Sequence, residues 1–280
     1  MRIRLMTHED TSFALSLTDS LGWGNTKDEF ERLLSYEPEG CFIASEREEH
    51  IGMVTSVSYG KVGWIGNVIV IPGYRNKGMG TKLMVQAMDY LKNKSVKTIE
   101  LDAEQKAMSL YNRLGFKEVC KSLRFSGEGK FISTDNIKQM SESDIDNVVG
   151  LDSRIFGANR HKVIKKIYQK FPDLCFVSYK NQKLIGYIMA RERKDDYQIG
   201  PWICLSQHLK EAEELLKAAL NQLGGKKIRL GVLELNKPSV AMIKKYCFNE
   251  IEYSVRMYYG EKKESGDVRG EFAIGAPDKG

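Results

Sequence analysis

The chain has 280 residues, enough for two domains of about 150 residues each, so core size is not limiting. Hydrophobic residues at 42%, charged at 29% and aromatic at 10% match globular averages, which excludes disordered, collagen-like and coiled-coil chains. The net charge of +6 comes from 43 basic and 37 acidic residues that alternate along most of the chain: no basic block supports nucleic-acid binding, a mildly positive field would equally suit an anionic, phosphate-bearing cofactor, and composition does not separate the two.

No apolar run approaches the roughly 18 residues of a membrane span, and the opening Met1-Arg2-Ile3-Arg4-Leu5 lacks the apolar stretch and cleavage site of a signal peptide. A cytoplasmic protein without membrane attachment is expected. The cysteines, Cys41, Cys120, Cys175, Cys204 and Cys247, are odd in number and form no C-x-x-C pair, which argues against a disulfide framework or a zinc site. They are expected to be reduced core residues.

In chain order the first half predicts a strand, two helices, a strand meander, a long helix, a strand, a short helix and closing strands. Short apolar or β-branched runs at 41–44, 51–57, 64–71 and 98–101 give the strands. Residues 81–93 place Leu83, Met84, Ala87, Met88 and Leu91 on one face of a helix that can pack on a sheet. The order then repeats. Displaced by 134 residues, Cys41-Phe42 falls on Cys175-Phe176, Ile51-Gly52 on Ile185-Gly186 and Ile65-Gly66 on Ile199-Gly200; further on the register becomes 132, with Phe116 and Glu118 on Phe248 and Glu250. Two α/β domains of one fold follow, 1–128 and 129–280, divided where Ser126-Gly127-Glu128-Gly129 breaks the periodicity. A charged, glycine-rich tail begins at Glu261, and within it Phe272-Ala273-Ile274 is apolar enough to dock.

The segment Val68-Ile69-Val70-Ile71-Pro72-Gly73-Tyr74-Arg75-Asn76-Lys77-Gly78-Met79-Gly80-Thr81 joins an apolar strand to that long helix through a glycine-punctuated loop. Gly78 and Gly80 let a ligand approach the backbone, and the N–H groups and dipole at the helix start attract phosphate oxygens. It is not a Walker loop, because Met79 rather than Lys follows Gly78, nor a dinucleotide fingerprint, because Leu83 stands where the third glycine would be. A loop of this kind is a plain structural connection about as often as a phosphate site.

Arg75-Asn76-Lys77-Gly78-Met79-Gly80, after a strand ending in Val-Ile-Pro, resembles the R/Q-x-x-G-x-G/A acetyl-CoA loop of the GNAT acyltransferase superfamily. Downstream, Ala107-Met108-Ser109-Leu110-Tyr111-Asn112-Arg113-Leu114-Gly115-Phe116 is similar to that superfamily's short helix bearing a tyrosine ahead of Leu-Gly-Phe. The resemblance covers residues 1 to about 125. Gly22-Trp23, Asn25-Thr26 and Glu37-Pro38-Glu39-Gly40-Cys41-Phe42 further resemble two-domain bacterial members whose second half is a diverged copy.

The resemblance implies tandem domains, each with a mixed, mostly antiparallel sheet flanked by helices, and acetyl transfer from acetyl-CoA to a small-molecule or peptide amine without a metal. It places pantetheine along Val68, Ile69 and Val70, an N–H near Val70 on the thioester carbonyl, and the pyrophosphate on Arg75, Asn76, Lys77, Gly78, Met79, Gly80 and Thr81. Tyr111 would protonate the departing sulfur. Glu100, Asp102 and Glu104 are carboxylates near the end of one strand, and none is assigned as base. A non-catalytic acyl-CoA-binding or regulatory protein is the alternative.

Trp23, between two glycines in the link of the first two helices, is either a lid over the acceptor or an anchor of its loop. The second copy has Leu205-Ser206-Gln207-His208-Leu209-Lys210-Glu211 in place of the glycine loop, Ile243 opposite Tyr111 and Cys247 opposite Gly115, so its cofactor site is expected to be lost. Tyr197 and Trp202 are either core aromatics, the favoured reading, or walls of an acceptor pocket.

Overall fold

A computed structural model of the protein describes residues 2–262 and 266–280 and resolves into two compact units. Unit 1 contains the chain up to Val119 together with Arg256–Lys262 and Pro277–Gly280; unit 2 contains Cys120–Val255 and the stretch leading to Ala276. The compact units therefore differ from a linear division at residue 128. The strand that follows the short helix passes into unit 2 at Cys120, and a later strand returns to unit 1 at Arg256, so each unit is completed by residues remote in sequence.

Unit 1 runs β1 (Arg2–Leu5), α1 (Thr11–Asp19), α2 (Lys27–Tyr36), β2 (Cys41–Glu46), β3 (Glu49–Tyr59), β4 (Val62–Val70), α3 (Met79–Asn93), β5 (Thr98–Ala103) and α4 (Met108–Arg113). Its strands lie in the order β1-β2-β3-β4-β5, antiparallel except for the parallel β4–β5 pair. The sixth strand, beside β5, is the later part of β12 (Asn249–Gly260). On α3, Met79, Leu83, Met84, Ala87, Met88 and Leu91 are buried, as the periodicity predicts. Gly63 permits the approach, since a Cβ there would lie 3.0 Å from the Leu91 methyls.

Unit 2 repeats the plan with β6 (Lys117–Glu128), β7 (Ile137–Gln139), α5 (Ile145–Phe156), α6 (His161–Lys170), β8 (Cys175–Lys180), β9 (Lys183–Glu192), β10 (Tyr197–Cys204), α7 (Leu209–Gln222), β11 (Lys227–Leu233), α8 (Lys237–Lys245) and β13 (Glu271–Ala273). Its order is β7-β8-β9-β10-β11-β6, again with one parallel pair, β10–β11, and β13 is added to β10. Trp202 is fully buried against Phe272, so the core reading holds for it, while Tyr197 lies at the margin of the same core. Four cysteines are buried. Cys247 is exposed, contrary to expectation, because it occupies a left-handed turn after α8 (φ 66°).

The start of unit 1 carries an acid-sensitive clamp. Asp10 closes a capping box with Thr7 and takes both Arg4 amino groups at 2.7 Å. Burial alone would raise its pKa, but the hydrogen bonds from Arg4 and Thr7 outweigh that and bring it to about 2. A depressed carboxylate stabilises the fold above its unfolded pKa, and that contribution is lost as pH falls through the folded value. Asp10→Asn is therefore expected to cost about 1–2 kcal/mol at pH 6, a gap that closes between about pH 4 and pH 2. Denaturant melts of both proteins across that range measure it; a constant gap contradicts the linkage.

Candidate active site

Strand β4 sets the geometry. It pairs in parallel with β5 only through Val62, Gly63 and Trp64, opposite Thr98, Ile99 and Glu100. Beyond Trp64, no strand among the described residues pairs with β4 on that side, while β3 continues along the other. The split coincides with a bulge, where Asn67 and Val68 together oppose Val54 and Asn67 adopts φ 51°. Asn67 is held there by a hydrogen bond from its side-chain nitrogen to Thr55 Oγ1 at 3.0 Å.

Past the bulge, Ile71 donates its N–H to Ile51 O on β3. Peptide groups alternate along a strand, so the N–H and carbonyl of Val70 point the other way, into the open side. The carbonyl is already engaged by Arg75 Nε at 2.8 Å, which leaves the Val70 N–H directed to that open side. Val68, Ile69 and Val70 thus lie on an unpaired strand edge that can accept an extended ligand by backbone hydrogen bonds.

This edge leads to the loop and the N-terminus of α3. Asn76 (φ 60°) and Gly78 (φ 81°) are left-handed, a conformation in which neighbouring N–H groups converge on one concavity. The first bond of α3 runs from Lys82 N to Gly78 O, so the N–H groups of Gly78, Met79, Gly80 and Thr81 have no carbonyl of the helix to bond. A Cβ on Gly78 would meet nothing within 4 Å, which leaves room for a phosphate over the loop. Lys77 sits over the Tyr74 ring with Nζ 5.3 Å from its centroid, and with Arg75 it adds two exposed cations. The donor set fits a pyrophosphate.

Tyr111 is carried by α4, which lies beside the start of α3: Leu110 Cδ2 would be 3.4 Å from a Cβ on Gly80. Gly115, left-handed at φ 87°, follows α4, and Phe116 then folds back edge-on to the Tyr111 ring at 5.9 Å. The tyrosine is buried, and burial, followed by the nearby Glu104 charge, pushes its pKa well above the ordinary value, so the phenol stays protonated at any working pH. Glu104 Oε1 accepts from Trp23 Nε1 at 3.2 Å. Trp23, Glu104 and Tyr111 are therefore neighbours, which brings the first helix–helix link to the end of β5.

The carboxylates near the end of β5 separate clearly. Asp102 is fully buried in an ion pair with Arg256, whose guanidinium lies 4.4 Å over the Trp64 ring, and Glu100 is buried as well. Glu104 remains 40% exposed. No local pattern in the sequence distinguishes these three, because Arg256 is far away along the chain.

A sequence model of the acetyltransferase (GNAT) family matches residues 9–116, and one of the acetyltransferase (GNAT) domain matches residues 148–270. The chain belongs to the acetyltransferase (GNAT) family. It is 26% identical over 248 residues to a holothin acyltransferase from Pseudoalteromonas, covering 87% of this chain and 81% of that one. A solved structure from Pyrococcus horikoshii aligns over 100% of this chain and 95% of its own, with a TM-score of 0.85 and 23% identity. A tandem GNAT protein from the clavulanic acid biosynthesis pathway aligns over 92% of this chain and 98% of its own, with a TM-score of 0.63 and 11% identity.

The second GNAT copy differs where the first is open. Strands β10 and β11 pair through Tyr197, Gln198 and Ile199 and then part, as β4 and β5 do. Here β13 enters the gap: Trp202 and Ile203 pair with Ala273 and Glu271, and Ile274 donates to Gly231 O on β11. The apolar Phe272-Ala273-Ile274 docks in this position, with all three residues buried. Cys247, in the left-handed turn, stands in the register of Gly115. The second GNAT unit thus fills with its own chain the strand edge that the first leaves unpaired.

Proposed function

We propose that the first GNAT copy, 1–128, transfers an acetyl group from acetyl-CoA to a primary amine by direct attack, and that 129–280 is a degenerate copy without a cofactor site. The observation that carries this reading is the unpaired β4 edge running into a left-handed loop with converging N–H groups at the start of α3, with buried Tyr111 on the neighbouring α4. In this assignment the neutral amine attacks the thioester carbonyl carbon, the Val70 N–H stabilises the developing oxyanion, and the carbon–sulfur bond breaks as Tyr111 donates its proton to the leaving thiolate. The amine proton passes to solvent, and the phenol is reprotonated from it. Trp23 and Glu104 border the acceptor side. The long match to an acyltransferase named for a single acceptor, holothin, supports a defined small-molecule amine.

Calorimetric titration with acetyl-CoA is expected to give one site per chain, because β13 occupies the corresponding edge of the second copy. Two sites would remove the assigned degeneracy. Release of CoA in the presence of a panel of primary amines then separates an enzyme from the alternative, a non-catalytic acyl-CoA-binding or regulatory protein, which would bind acetyl-CoA and release none.

A further inference from the structure

Segment Pro277–Gly280 belongs to unit 1, where it crosses β4 on the face opposite α3. Gly63 faces α3 through Leu91, so by strand alternation Trp64 and Gly66 face the other way. A Cβ on Gly66 would lie 2.5 Å from Asp278 Cα and 2.7 Å from its carbonyl oxygen; only glycine admits the crossing. Buried Trp64 donates Nε1–H to Pro277 O at 2.9 Å, and buried Tyr59 donates its hydroxyl to Lys279 O at 2.7 Å. Withdrawing the segment would break both of these buried hydrogen bonds, which is costly, so it is a fixed wall rather than a lid.

This wall brings a carboxylate to the bulge. Asp278 Oδ2 accepts from Asn67 Nδ2 at 3.4 Å, immediately before Val68, where β4 becomes unpaired. Lys279 Nζ lies 2.8 and 2.9 Å from the two Asp278 oxygens. Asp102 on the same side is already matched by Arg256. We propose that Asp278 receives the ammonium group of the acceptor amine and positions it beside the β4 edge, where it gives up one proton to solvent before it attacks as the neutral amine, and that Lys279 Nζ holds this place until the amine arrives. Exchanging one ammonium for another keeps the carboxylate paired throughout, which avoids leaving a largely buried charge alone. The inference rests on reading unit 1 as the acetyltransferase, and it makes Asp278 a positioning residue that selects cationic acceptors.

The test titrates the CoA-loaded full chain with simple probes, n-butylamine and 1,4-diaminobutane, by calorimetry. Asp278→Asn is expected to lower amine affinity at least tenfold with acetyl-CoA affinity unchanged, and Lys279→Gln to raise amine affinity severalfold by removing the internal competitor. Thermal melting shows that both variants are folded. Equal amine affinity in wild type and Asp278→Asn overturns the proposal, as does a wild-type protein that binds neither amine. Acetyl-CoA titration of the same proteins is a separate readout: its failure would remove the cofactor assignment, and the amine titrations repeated on the ligand-free full chain would then decide the role of Asp278.

Discussion

Tyr111→Phe is expected to lower kcat about 100-fold or more, the size typical of a lost general acid, with little change in acetyl-CoA affinity. The substitution removes only the hydroxyl. The ring retains its edge contact with Phe116, and melting temperature should stay close to wild type. Because burial and the Glu104 charge hold the phenol protonated, the wild-type rate should show no fall from Tyr111 ionisation as pH rises to about 10, the ordinary tyrosine value. Steady-state kinetics across pH checks both statements. Wild-type turnover in Tyr111→Phe would return the residue to a packing role.

Gly78→Val is expected to weaken acetyl-CoA binding at least tenfold, about 1.4 kcal/mol, by calorimetry. Gly78 is left-handed at φ 81°, where a β-branched side chain is strongly disfavoured, so the loop must rearrange and its N–H groups lose their common direction. The buried face of α3 is untouched and Gly78 is exposed, so global stability should fall far less than affinity. Gly73→Ala, outside the assigned loop residues, is the matched control: its Cβ would meet nothing within 4 Å, and affinity should be nearly unchanged. Unchanged affinity in Gly78→Val would remove the loop from the cofactor site.

The elements most legible in the sequence are those fixed by local physics. Period-two and helical patterns place β3, β4 and α3 to within a few residues, because one buried face imposes each pattern. The conformational demand on Gly78 and Gly115 is equally local, and it marks both ends of the candidate site before any contact is known. What was not legible depends on partners distant along the chain. Glu100, Asp102 and Glu104 look alike in sequence, yet Arg256 claims Asp102 and Trp23 reaches Glu104. Gly66 carries no turn signal; its lack of a side chain is explained only by Asp278 passing over it.

By itself, the sequence determined the duplicated order of elements, the glycine loop ahead of α3 and the tyrosine ahead of Leu-Gly-Phe, since backbone conformation and one-sided burial leave their mark within a few residues. Tertiary structure alone decided that the β4 edge stays unpaired among the described residues while the β10 edge is taken by β13, and that β6 and β12 leave the halves in which they begin. Backbone donors and acceptors pair with whichever strand the fold brings alongside, and that choice is set by packing over the whole domain rather than by the residues of the strand itself.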